Sequence, residues 1–223
     1  MDRPTPSWIA WLEARFATWS VPDLAVFIVG MNAAVYVLSM LKPEFPLMLA
    51  LDPGLILQGQ VWRVVTFLFI PPAMGPLWML FWLYMLFLVA RALEGEWGEF
   101  RFNLYYAVGA TATVGAALLL GRGITNVVLN TSLFLAFAAL YPEFELLLFF
   151  FLPVKVKWLA WLSWAGIAAG FALGSWDQRA ALVSGLLNYG LFFGPSHWSG
   201  FRRWRQERRN RRRYGKAFDG DHR

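Results

Sequence analysis

The chain has 223 residues, 58% of them apolar, and a formal net charge of +6. That apolar share exceeds the roughly 45–50% of ordinary soluble domains, and blocks able to cross about 30 Å of hydrocarbon recur along it, so a soluble domain is excluded and one all-α membrane domain is expected. The sequence has no cysteine, which excludes disulfides, thiolate metal sites and cysteine nucleophiles; no metal or cofactor is expected.

Residues 1–20 carry Trp8, Ile9, Trp11, Leu12, Phe16 and Trp19 among Asp2, Arg3, Glu13 and Arg15, behind Ser7 as a cap. This pattern predicts an amphipathic helix lying at the membrane interface rather than a signal peptide. A membrane domain follows over residues 21–195. Its first span is predicted at Leu24–Leu41; Val61–Ile70 is then apolar but too short to cross and is stopped by Pro71 and Pro72, which suits a loop partly embedded in the membrane. Further spans are predicted at Pro76–Ala92, Leu104–Leu120, Thr125–Tyr141, Trp158–Leu173 and Ala180–Phe193, six in all, with Leu146–Leu152 as another short apolar piece closed by Pro153.

Six spans place Arg3, Arg15, Arg91, Arg101, Lys155, Lys157 and the C-terminal tail on one side, so both termini are expected to be cytoplasmic, at the cell inner membrane. The tail, residues 196–223, carries eight arginines between Arg202 and Arg213. Beside a last span such a cluster sets topology and binds anionic lipid headgroups; nucleic acid is the less favoured partner. Gly166, Gly170 and Gly174, and then Gly190 and Gly194, stand four apart and predict close helix packing inside the bundle.

The order of these pieces resembles the rhomboid superfamily, including the Derlins. Gln60, Trp62, Arg63, Thr66 and Phe67 resemble the Trp-Arg motif of its first loop, and Leu93, Glu94, Trp97 and Gly98 resemble the element after its second span. Ala138–Pro142 and Phe149–Trp158 resemble the link between its fourth and fifth spans, and the likeness covers roughly residues 55–195. It implies a six-helix rhomboid-like bundle in which Arg63 sits at the interface or bonds loop carbonyls, because an unpaired guanidinium in hydrocarbon is costly. Glu94 would accept bonds nearby, and Trp62, Trp97 and Gly98 would be structural with them.

Rhomboid proteolysis, as the resemblance implies it, needs a serine opening the fourth span and a histidine on the sixth. The family's spacing puts Val127 at the first position and Leu187, beside Asn188, at the second. A weak nucleophile needs a base within reach, and neither leucine nor an amide is one. The family's oxyanion-stabilising pair on the second span falls at Trp78 and Trp82. Both histidines, His197 and His222, lie in the tail. Ser132 is a weak alternative nucleophile, more simply read with Asn130 and Thr131 as making helix back-bonds.

These losses imply a catalytically inactive rhomboid-like protein that accommodates transmembrane segments of client proteins in a cleft between the second and fifth spans. The cleft candidates are Trp78, Trp82, Asn130, Asn188 and Tyr189. One alternative is an intramembrane serine protease with a non-standard site at Ser132; another is a structural or lipid-organising membrane protein. A transporter is disfavoured by the lack of charge in the middle of the spans.

Overall fold

Apolar segments taken out of water must satisfy their backbone internally, and a helix does so within one segment. The computed structural model describes residues 7–148 and 152–195 and is mostly helical. Helix α1 (Ser7–Phe16) and a 3₁₀ turn lead to α2 (Leu24–Leu41). The first loop folds into α3 (Phe45–Leu49), α4 (Pro53–Leu57), α5 (Arg63–Thr66) and a 3₁₀ turn at Phe67–Phe69. Then come α6 (Pro76–Trp97), α7 (Glu99–Leu120), α8 (Val127–Leu140), strands β1 (Glu145–Leu148) and β2 (Leu152–Lys155), and α9 (Val156–Leu173). A last helix, α10, occupies 176–195 up to the limit of the description.

Four described helices, α2, α6, α7 and α9, are long and apolar enough to cross a membrane, whereas α8 is a shorter apolar helix. Several predicted boundaries move, by four residues at the start of α10 and by about five at the junction of α6 and α7. Helix α6 runs past Ala92 to Trp97, and α7 starts at Glu99 instead of Leu104, because the charged residues between them are absorbed into helix ends. Only Gly98 separates the two, at φ +81°, a conformation open to glycine and strained for other residues.

The fold is mostly helical, and the short apolar piece before α9 forms a two-stranded hairpin. There Glu145 pairs with Lys155 and Leu148 with Leu152 in an antiparallel ladder. Pro153 lacks the N–H that a helix interior needs, and an edge position in a hairpin tolerates it. In front of the hairpin, Lys157 and Lys155 clasp Glu143 at 2.6 and 2.9 Å and hold its carboxyl down to about 2. Its folded value lies below its ordinary one, so this clasp is lost only as pH falls through about 2, and its exposure leaves it screened by salt.

One end of the bundle is tied by charge. Arg101 donates twice to Glu13, fixing α1 to α7, and Trp8 meets the ring of Phe192 edge-on. Arg91 bridges Asp23 and Glu94. Buried Glu94 also accepts from Ala25 N, an unsatisfied donor in the first turn of α2. Trp97 packs against Tyr105, Phe192 and Phe193. At the other end Arg122 pairs with Asp177, and buried Arg63 donates to the carbonyls of Leu47 and Ala50 and to Gln60 Oε1. Trp62, just before it, is half exposed.

Close backbone approach falls on other glycines than the predicted ladders. Among the described residues a Cβ at Gly166, Gly190 or Gly194 would meet nothing within 4 Å, and one at Gly170 would touch only the Leu182 side chain. Gly174 ends α9, crowded by Gly170 O and Gln178. The tight contacts are at Gly185, where a Cβ would lie 2.6 Å from Val128, and at Gly109, wedged against Leu129 and Asn188. Spacing by four is a property of one helix, whereas close approach depends on which face its neighbour takes. The predicted roles of His197, His222, the arginine cluster and residues 149–151 lie outside the described residues.

Gly185→Ala should therefore cost about 1–3 kcal/mol through overpacking against Val128. Gly166→Ala should be neutral or stabilising by up to about 1 kcal/mol from helix propensity. Unfolding of the purified protein in mixed micelles measures both, and equal losses would contradict this packing.

Candidate functional site

Helix α8 is the element around which the polar residues gather. It has 14 residues, which at 1.5 Å per residue span about 21 Å, well short of a bilayer's hydrocarbon. Its start is fixed from the first loop. Gly121, at φ +64°, ends α7, and Gly123 passes so close to Leu51 O that a Cβ would lie 2.5 Å from it. Buried Asn126 then donates to Leu68 O and Ile70 O at 2.9 and 3.0 Å. Those two carbonyls flank buried Phe69, so one amide both satisfies the loop and anchors α8 to it.

One turn and a half further on lies a buried polar cluster. Ser132 and Asn188 are both 0% exposed. Ser132 Oγ donates to Leu129 O at 2.7 Å and accepts from Asn188 Nδ2 at 3.0 Å. Asn188 Nδ2 also reaches Tyr105 O at 3.3 Å, while its Oδ1 accepts from Tyr189 N. Tyr105 OH, from α7, closes the set by donating to Ser132 O at 2.9 Å. The serine proton is thus committed to a helix carbonyl, and the group beside the oxygen is an amide N–H that cannot take a proton. Chemically the arrangement ties three helices together; it does not activate a nucleophile.

The positions that the rhomboid pattern assigns to a dyad are not the ones that face each other. Val127 is 56% exposed and borders a cleft, and Leu187 is 41% exposed on α10, outside that cleft's lining. Across α8 and α10 the facing pairs are Val128 with Gly185 and Ser132 with Asn188. Among the described residues no three His, Asp or Glu side chains group as metal ligands.

The cleft is a cavity of about 310 Å³. Helices α6 and α9 both pack on α8 and barely touch each other, so α8 forms the floor between them. Trp82 and Met85 line the α6 wall, Asn126, Asn130 and Thr131 the floor, and Ser163 the α9 wall. Two of the five cleft candidates therefore meet here, Trp82 and Asn130. Trp78, one turn earlier on α6, is half exposed and outside the lining. Asn188 is spent in the buried cluster. Tyr189 lines a second cavity of about 560 Å³ with Lys157, Trp161 and Trp164, stacked on Phe193 at 4.9 Å.

Sequence reasoning missed Asn126, Thr131 and Ser163 as cleft residues and Tyr105 as the buried partner of Ser132. An asparagine just before an apolar run is an N-cap signal, which could have drawn notice to Asn126; nothing in the sequence pairs Tyr105 with Ser132. Neither the family models nor the curated proteins compared with this chain give a match.

The contact between Ser132 and Asn188 predicts energetic coupling. In a double-mutant cycle of Ser132→Ala and Asn188→Ala, each change should destabilise, and the double variant should lose about 1 kcal/mol less than their sum. Strict additivity in reversible unfolding would mean that the bond contributes nothing.

Proposed function

We propose that this protein is a rhomboid-like, six-span bundle without serine-protease chemistry, which accommodates transmembrane segments of other proteins in the cleft between α6 and α9. In this reading α8 and α10 are the fourth and sixth spans. The first loop lies partly in the membrane, α1 rests at the interface, and the arginine-rich tail contacts anionic headgroups on the cytoplasmic side of an inner membrane.

The observation that carries the reading is the gap itself: two apolar helices that pack on a shared floor but not on each other. Outer faces of α9 and α6 are rich in exposed tryptophan and leucine, including Trp158, Trp161, Leu77 and Leu80. Such surface suits lipid, and the recess between it suits a helix. In membranes, helix association draws on packing and on hydrogen bonds between helices, because lipid supplies no apolar driving force. The cleft offers both a recess and polar side chains. The absence of protease chemistry is supported by the bonding of Ser132, whose proton goes to Leu129 O with no base among its partners.

Two measurements test this reading. A serine-reactive fluorophosphonate should not label the wild-type protein above the level of Ser132→Ala, and neither should cleave a model transmembrane substrate; labelling and cleavage both lost in Ser132→Ala would overturn it. A photo-crosslinking amino acid at position 82 should capture an added transmembrane peptide in lipid nanodiscs, at least severalfold above the same probe placed at the exposed position 173. Adducts to lipid alone would instead favour a lipid-organising role.

A further inference from the structure

Near the turn that joins α9 to α10 stands a cation without a counter-charge. Arg179, close to the start of α10, donates from Nη2 to Ala172 O at 3.2 Å, one of the carbonyls left open in the last turn of α9. Its guanidinium lies over the rings of Phe171 and Trp176, 5.8 and 5.6 Å from their centroids. No carboxylate pairs with it among the described residues, because Asp177, two positions earlier, is taken by Arg122. Arg179 Nη1 bonds no described residue and is not buried, so that corner of the guanidinium is open to a ligand.

The same cation closes one end of an apolar groove. A cavity of about 370 Å³ follows the seam of α9 and α10, lined by Ile167, Phe171 and Ala172 on one helix and by Leu182, Val183 and Leu186 on the other. Phe171 and Ala172 are also the residues that the guanidinium touches, so charge and groove adjoin. At the base of the groove Leu182 packs on Gly170. Two helices in such direct contact leave a furrow that takes a hydrocarbon chain and excludes a third helix. From Trp164, which also borders the cavity, to Ala172 the helix rises about 12 Å, close to one leaflet's half of a hydrocarbon core about 30 Å thick.

We propose that this seam binds one anionic glycerophospholipid from the leaflet on the Arg179 side, with its phosphate on Arg179 and an acyl chain along the groove. A guanidinium suits phosphate because its N–H groups donate in one plane. Trp176, 79% exposed, sets an interfacial ring beside the headgroup. Charge selects this end of α9: at its other end Lys157 lines the larger cavity but already holds Glu143 at 2.6 Å, whereas Arg179 has no such partner. The groove shares no lining residue with the cleft between α6 and α9, so the site stands whatever that cleft accommodates.

The test uses the full chain with a photo-crosslinking amino acid at position 183, in nanodiscs holding equal amounts of phosphatidylglycerol and phosphatidylcholine with identical acyl chains. Intact-mass measurement counts the adducts of each lipid, with the same probe at the exposed position 80 giving the bulk ratio. Phosphatidylglycerol adducts at position 183 should exceed that ratio about three- to tenfold, as expected for one basic residue meeting an anionic headgroup. Arg179→Gln should bring the ratio to the bulk value, while Lys42→Gln, which removes an exposed cation at the end of α2 on the same side of the bundle, should leave the preference in place. A bulk ratio at position 183 in the otherwise wild-type chain would overturn the proposal, as would a preference that survives Arg179→Gln or is lost equally in Lys42→Gln. Adducts to a second copy of the chain in place of lipid would make the seam a protein interface and overturn it as well. Because the two lipids compete on the otherwise wild-type chain, the outcome is decided even if Arg179→Gln fails to fold.

Discussion

A helix too short to cross the hydrocarbon stands at the centre of this bundle, and the rest of the structure is arranged to make that tolerable. With 14 residues α8 rises only about 21 Å, and the backbone groups beside its start are satisfied by protein. The first loop meets that need. Its 3₁₀ turn buries Phe67, Leu68 and Phe69, and the carbonyls of Leu68 and Ile70 receive Asn126 at the head of α8. Arg63 in turn gathers the carbonyls of Leu47 and Ala50, so loop and helix support each other.

The same constraint produces the cleft. A short central helix gives α6 and α9 a shared floor, and each is held from a different direction. Helix α6 is bound to α2 through Glu94, Arg91 and Asp23 and to α8 through Tyr141 and Glu96 at 3.0 Å. Helix α9 is attached through the hairpin, through α8 and through α10, where Trp164 meets the ring of Tyr189 and Leu182 reaches Gly170, but it buries little of itself within the bundle. The resulting asymmetry places a firmly tied wall opposite a lightly packed one. Segments with few buried contacts sit at the low end of local stability, so α9 is the more yielding of the two walls.

Hydrogen-bond accounting also separates the two polar zones of α8, although they lie within a few residues of each other. In the buried zone every donor has an acceptor: Tyr105, Ser132 and Asn188 complete one another, and α7, α8 and α10 are locked together. In the cleft zone Thr131 and Ser163 donate within their own helices and Asn126 to the first loop, while Asn130 Oδ1 is buried without a partner among the described residues. A satisfied network rigidifies, whereas a buried acceptor left without a donor is costly. Ser132 and Asn130, two residues apart, thus have opposite meanings because they project from different sides of one helix.

The sequence by itself determined that this chain belongs in a membrane, where its long apolar helices lie and that Arg63 and Glu94 require partners, since length, apolar content and the cost of an unpaired charge are local properties. Gly98 stood out in the sequence only through the resemblance, and the structure supplies the physical reason, a tight junction at φ +81°. The tertiary structure decided how the helices are rotated. Helix α8 carries its polar side chains, Asn130, Thr131 and Ser132, at consecutive positions that project to different sides, so no polar stripe fixes which of its residues face α10. Counting along the chain therefore set Val127 against Leu187, while packing set Val128 on Gly185 and Ser132 on Asn188. The glycine ladders failed for a related reason: spacing shows which residues share a face, and only the neighbouring helix decides whether that face is approached. Whether a buried amide oxygen finds a donor, as Asn188 Oδ1 does, or is left without one among the described residues, as Asn130 Oδ1 is, depends on how the bundle assembles around it.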